Sequence, residues 1–245
     1  MEVIAIEILR TERATKKFGD LTALDAVDVT LDKGVILGMI GPNGSGKTTL
    51  FNVISGIYAP ASGEVRYKGQ KITKKKPHLI CRIGIARTFQ VVQPFSQMTV
   101  LENVVVSALY GKGLGLKEAR EKGEEVLEFV GLKEKIHSLP DNMTTPDRRR
   151  LELARALATE PEVILLDETM AGLTPAEIEE VLGLLRDVNK RGITIFMVEH
   201  IMRAVMTLCE RIIVLNYGRK IAEGTPEEVA ENKEVIRAYL GDRYV

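Results

Sequence analysis

The segment GPNGSGKTT, Gly41 to Thr49, constrains the fold more than any other part of the chain. It fits G-x-x-x-x-G-K-[ST] and lies between a continuously apolar run, GVILGMIG (34–41), and a helix predicted from Lys47 to Ser55. In such a strand–loop–helix the glycines let successive backbone N–H groups turn inward around phosphates, and the helix dipole adds positive potential. Gly41, Pro42, Asn43, Gly44, Ser45, Gly46, Lys47, Thr48 and Thr49 are therefore candidate nucleotide-binding residues. Lys47 has the reach for the β- and γ-phosphates of ATP, and Thr48 offers a hydroxyl to Mg²⁺.

Two further runs share the look of a strand buried on both faces: EVILLDE (162–168) and ITIFMVEH (193–200). The helix PAEIEEVLGLLRDVNKRG, ended by Gly192, lies between them. Strands alternating with helices predict an α/β fold with a mostly parallel core sheet. Antiparallel signals flank it: strands at VIAIEIL (3–9) and LDAVDVTL (24–31), a strand–turn–strand at GEVRYKGQKI, and a hairpin around Asn216–Gly218. Residues 94–145 differ, because TVLENVVVSALY and KEAREKGEEVLEFVGL carry helical spacing. The expected organisation is one domain over 1–245, with 1–93 and 146–245 as core plus antiparallel β layer and 94–145 as a helical subdomain. The C-terminal TPEEVAENKEVIRAYLG reads as a helix capped by Thr225.

The carboxylates at the end of VILLDE supply the second half of a phosphate-transfer site. Asp167 is placed to hold Mg²⁺ through water, and the adjacent Glu168 projects differently, to polarise an attacking water. The predicted reaction is attack of water on the γ-phosphate, driven by positioning and charge stabilisation. His200 ends a strand parallel to that of Asp167 and is either structural or a γ-phosphate sensor or water-positioning group.

Composition excludes several other readings. Thirty-four basic residues balance thirty-four acidic ones, so no electrostatic case exists for nucleic acid or anionic lipid. Cys81 and Cys209 lack metal spacing, and the three histidines are scattered. No apolar run approaches the ~18 residues of a membrane span, and no signal-peptide layout opens the chain, so a soluble cytoplasmic protein is expected.

The order of these motifs resembles the nucleotide-binding subunits of ABC transporters over essentially the whole chain, implying a P-loop NTPase of ABC type. ARTFQ (86–90) matches the family's Q-loop, which makes Gln90 a candidate catalytic and Mg²⁺-linked residue, and RRRLELARALA resembles the body of its signature helix. Phe18 in KKFGDLTAL matches the aromatic that stacks on adenine, the alternative being a core phenylalanine. More narrowly, GIARTFQVVQPFSQMTVLENVVVSAL and GTPEEVAENKEVIRAYLG look like the ATPase of branched-chain amino acid importers. That resemblance implies an ATP-hydrolysing motor dimerising head-to-tail on the cytoplasmic face of a transmembrane permease, fed by an extracytoplasmic substrate-binding protein. Val91, Val92, Phe95 and Met98 are candidate docking residues, or ordinary core. Two alternatives stand beside this reading: a regulatory nucleotide-binding subunit with little catalysis, and a soluble ABC ATPase outside transport.

The departures from the family pattern cluster. Where the family has L-S-G-G-Q, this chain has Met143, Thr144, Thr145, Pro146 and Asp147, so only the Thr144 hydroxyl survives in kind. Both glycines are gone, Pro146 lacks an N–H, and Asp147 brings a carboxylate to an anion-binding helix end. Thr174 replaces the D-loop aspartate, and Thr169 the proline after the catalytic glutamate. Residues serving the chain's own nucleotide are intact while those offered to a partner's are altered, so the expected assembly is a heterodimer with a related, better-endowed chain, the alternative being a sequence error or a signature variant that the family's chemistry tolerates.

Overall fold

Ile36–Ile40, Val163–Asp167 and Thr194–Val198 are buried at every position. Runs so uniformly apolar are stable only with both sheet faces covered, so they take the interior strands and fix where the core lies. The computed structural model describes residues 6–90 and 93–240. Its elements begin β1 (Glu7–Phe18), β2 (Leu21–Asp32), β3 (Ile36–Ile40), α1 (Lys47–Ile54), β4 (Ser62–Tyr67), β5 (Gln70–Lys71), α2 (Pro77–Arg82) and β6 (Ile85–Arg87). They continue as α3 (Val100–Lys112), α4 (Leu116–Phe129), α5 (Thr145–Leu157), β7 (Val163–Asp167), α6 (Pro175–Lys190), β8 (Thr194–Val198) and α7 (Met202–Leu208). The last are β9 (Arg211–Asn216), β10 (Arg219–Gly224), α8 (Pro226–Glu231) and α9 (Lys233–Leu240). Two compact units result, one running to Pro77 and resuming at Val188, the other spanning His78–Asp187.

The first unit carries two kinds of sheet. An antiparallel layer runs in the order β2-β1-β4-β5. In the other, β3 pairs in parallel with both β8 and β9, and β10 closes against β9 as an antiparallel hairpin. Helix α1 buries Phe51 edge-on against Phe196 of β8, centroids 5.0 Å apart. Strand β1 runs on to Phe18, well past the predicted end at Leu9 (residues 3–5 of that prediction lie outside the described residues). Its distal half, RTERATKKF, buries little beyond Thr11 and Ala14. A solvated layer needs no apolar run, so the sequence shows none there. The predicted C-terminal helix is broken at Asn232, whose side chain accepts from the Glu234 and Val235 N–H groups and starts α9 afresh.

In the second unit β6 and β7 pair in parallel, and α3, α4 and α5 pack on one another. Thr99 and Glu102 form a capping box at the start of α3. Asn103, fully buried, accepts from Phe95 N–H and donates to the carbonyls of Phe95, Met98 and Thr99, pinning the loop before the helix. Cys209 is buried and Cys81 half-buried, and burial, with Glu199 and Glu210 adding to it, pushes the Cys209 thiol up to about 12. Among the described residues no helix is long and apolar enough to cross a membrane.

Candidate active site

The glycine-rich loop of the first unit is shaped by backbone that only glycine takes without strain. Gly41, Gly44 and Gly46 have φ of 153°, 77° and 106°. A Cβ at Gly41 would lie 2.1 Å from the Leu215 carbonyl oxygen, and one at Gly46 2.6 Å from that of Ala23. The loop is thus wedged between β9 and β2 and has no room for another residue at either position. The β9–β10 turn braces it, since Gly218 N–H donates to the Ser45 carbonyl at 3.0 Å while its own carbonyl accepts from Asp25 N–H at 2.8 Å. The Lys47 ammonium, buried, donates to the carbonyls of Gly41 (2.7 Å) and Pro42 (2.9 Å). It therefore stands across the hollow of the loop, where a phosphate would compete for its protons. Asn43, Gly44 and Thr48 are exposed, Pro42 and Thr49 half-buried, and the buried Ser45 hydroxyl has no hydrogen-bond partner among the described residues.

Phe18 is 43% exposed at the end of β1, which excludes the core reading. Its ring meets Tyr58 edge-on at 5.2 Å, and the Lys16 ammonium, 5.0 Å from the Phe18 centroid, is anchored on the Ala59 carbonyl. The result is an open aromatic face beside a cation, suited to a nucleobase. His200 lies two residues past the end of β8, separated from it by the buried Glu199, rather than ending the strand, and is exposed.

The second unit holds the carboxylates. Asp167 is 2% exposed at the end of β7; its Oδ2 accepts from Arg87 at 2.8 Å, and its Oδ1 has no hydrogen-bond partner among the described residues. An orphaned, buried carboxylate oxygen is the donor a hard cation takes, so this residue fits Mg²⁺. No cluster of three or more acidic, histidine or cysteine ligands occurs among the described residues. Glu168 has φ of 50°, a left-handed conformation that costs a non-glycine residue about 1 kcal/mol or more. Its Oε2 accepts from Gln90 Nε2 at 2.5 Å. The structure thus brings Glu168 and Gln90 together directly.

Around Gln90, helix α5 holds the loop by its backbone. Glu152 Oε1 accepts from Phe89 N–H at 2.5 Å, Arg149 donates to the Gln90 carbonyl at 2.8 Å, and Arg155 to that of Gln93 at 3.2 Å. Burial raises the Glu152 carboxyl above its ordinary range, against the pull of Phe89 N–H, Arg149 and Arg155. Phe95 and Met98 are exposed; Val91 and Val92 lie outside the described residues.

At the start of α5, Thr144 is the N-cap, and its hydroxyl accepts from Asp147 N–H at 3.4 Å. It also donates to the Asp147 carboxylate at 2.8 Å, and Lys135 binds the same carboxylate oxygen. Burial opposes that charge, but the Lys135 and Thr144 hydrogen bonds outweigh it and lower the Asp147 carboxyl below its ordinary value. Thr174 caps α6 with Glu177 in the same way.

Sequence reasoning missed Arg87, Glu152, Arg149 and Tyr58. Arg87 stood within the quoted ARTFQ, and its only signal was a charge closing a short apolar strand.

The chain matches the family model described as ABC transporter over residues 24–171, and over 219–245 that of the branched-chain amino acid ATP-binding cassette transporter. It is 39% identical to the high-affinity branched-chain amino acid transport ATP-binding protein LivG of Escherichia coli (strain K12), over 92% of this chain and 94% of that protein. It is 36% identical to BraF of Pseudomonas aeruginosa, over 96% and 98% respectively. Among solved structures, it resembles the ADP conformation of an ATP-binding cassette of an ABC transporter with a TM-score of 0.88 at 33% identity, covering 97% of this chain and all of that one. A dimeric post-hydrolysis cassette bound to ADP and Pi matches with a TM-score of 0.80 at 28% identity, over 89% and 99%.

Proposed function

We propose, from the premise that the chain belongs to the ABC transporter ATP-binding family, that it is the ATP-hydrolysing motor subunit of a branched-chain amino acid importer. The observation that carries this reading is the glycine loop closed around Lys47, in a chain whose second unit ends β7 with a buried Asp167 and a kinked Glu168. Gly41 to Thr49 bind the phosphates, and Phe18 with Tyr58 receives the adenine. Thr48 and Asp167 would each serve Mg²⁺, which when bound would supply charge neutralisation to the transferring phosphoryl group. Glu168 polarises the water, Gln90 orients Glu168, and His200 senses the γ-phosphate.

The names of its relatives supply the substrate class, and specificity for it lies in other subunits. The chain works head-to-tail with a second, related ATPase on the cytoplasmic face of a permease served by a substrate-binding protein. Phe95 and Met98, in the helical subdomain 94–145, lie on the docking side. What supports a heterodimer is the start of α5, where Thr144 and Asp147 satisfy each other instead of presenting an open anion site.

The test is Mg²⁺-ATP turnover over a range of protein concentrations, for the chain alone and with a related ATPase carrying the unaltered signature. Lys47→Ala and Glu168→Gln serve as controls. The expected result is tight ATP binding with little turnover alone, and turnover on mixing that Glu168→Gln abolishes. Turnover alone that rises faster than linearly with concentration would replace the heterodimer with a homodimer. ATP binding unaffected by Lys47→Ala would overturn the whole reading.

A further inference from the structure

Asp167 is shared unequally. Its Oδ2 is bound by the Arg87 guanidinium, and these two side chains are only 3% and 7% exposed, while its Oδ1 accepts nothing among the described residues. A carboxylate buried this far needs a counter-charge whether or not a metal is present, and Arg87 supplies it from β6, the neighbouring strand. Short strand pairing fixes both ends of this ion pair: Arg87 stands opposite Leu165, and Thr88 N–H donates to the Leu165 carbonyl at 2.9 Å. The guanidinium also lies 5.2 Å from the centroid of the Phe89 ring, next to Gln90.

We propose that Arg87 is the resident counter-cation of Asp167, a positioning residue that keeps divalent metal off this carboxylate until a nucleotide arrives with it. The proposal rests on the reading above that Asp167 serves the metal. A dication approaching Oδ1 meets a fixed positive charge on the far side of the same carboxylate, in a site where burial leaves that repulsion poorly screened. The negative charge of a triphosphate cancels the repulsion, so metal and nucleotide bind with positive coupling, and the coupling is reciprocal. Removing the charge at residue 87 leaves a buried carboxylate that attracts metal without nucleotide.

Mn²⁺ is the probe, followed by electron paramagnetic resonance of the free ion with the full chain, with and without a non-hydrolysable ATP analogue. The wild-type chain is expected to bind Mn²⁺ at an Asp167-dependent site only with the analogue. Arg87→Gln is expected to bind it without nucleotide at least about tenfold more tightly than wild type, and the gain is lost when Asp167→Asn is added. Arg87→Lys keeps the charge and is expected to behave as wild type. Arg87→Gln indistinguishable from wild type overturns the proposal. So does nucleotide-free Mn²⁺ binding by wild type that Asp167→Asn removes, a measurement that needs no Arg87 variant to fold. Absence of analogue-dependent Mn²⁺ binding in wild type would instead refute the metal role of Asp167 itself.

Discussion

Glu152 offers the sharpest separation between a buried charge and a buried hydrogen bond. Its side chain is 8% exposed, one oxygen accepts from Phe89 N–H, and the other has no hydrogen-bond partner among the described residues, with Arg149 3.9 Å away. Because its carboxyl is raised above the ordinary 4.5, chiefly by burial, the surroundings favour the neutral form. A group raised in the folded state gives stability that is fully present below its unfolded value and lost as pH rises through the folded one. Glu152→Gln keeps the acceptor and the shape but has no charge to lose. It is expected to lie within about 1 kcal/mol of wild type at pH 7 and to improve relative to wild type as pH rises from about 4.5. Glu152→Ala instead orphans Phe89 N–H, at a cost of about 1–3 kcal/mol. For a chain of this size that lowers Tm by about 2–12 °C. Thermal unfolding of the three proteins between pH 5 and 8, with amide exchange read at Phe89, is the assay. Alanine and glutamine variants of equal stability and equal exchange at Phe89 would refute the claim that this acceptor holds the loop bearing Gln90.

Gly41→Ala is expected to lose nucleotide binding measured with a fluorescent ATP analogue, and to destabilise the first unit by about 2–4 kcal/mol, because its Cβ would press on the Leu215 carbonyl. Asp147→Asn is expected to cost about 0.5–1.5 kcal/mol at pH 6. The folded carboxyl is lowered, so its contribution is present above the ordinary 3.8 and disappears as pH falls through the folded value; urea unfolding at pH 6 and pH 3 should show the gap closing. Glu168→Gln is expected to reduce single-turnover hydrolysis by about 10²-fold or more while ATP affinity in equilibrium binding stays within about threefold.

What the sequence disclosed, it disclosed through local pattern. The buried strands β3, β7 and β8 announce themselves as unbroken apolar runs, and the phosphate loop as fixed spacing between such a run and a helix. Thr225 was legible as a cap because a cap and the N–H it receives are three residues apart. The distal half of β1 lacked a run since its layer is solvated, and α2 and α7, of six and seven residues, are too short for helical spacing to register. Arg87 and Glu152 were out of reach for another reason. Their partners are 80 and 63 residues away, and nothing in a local window distinguishes a surface arginine from one that neutralises a buried carboxylate.

The start of α5 shows the same limit from the opposite side. In sequence, Asp147 at a helix N-terminus reads as a charge that repels phosphate. In the fold its carboxylate is turned onto Lys135 and the Thr144 hydroxyl, so the charge is neutralised locally. The cost to anion binding comes instead from the donors used up. Asp147 N–H is spent on the Thr144 hydroxyl, Arg148 N–H on the Thr144 carbonyl, and Pro146 has none to offer. A helix end that satisfies its own backbone presents little for a phosphate to bind, however favourable its dipole. The phosphate loop is the converse case: its lysine donates to the carbonyls of Gly41 and Pro42, neutral acceptors that an incoming phosphate outcompetes. The phosphate loop thus offers its lysine to an incoming anion, whereas the start of α5 has already spent the Asp147 and Arg148 N–H groups on its own cap.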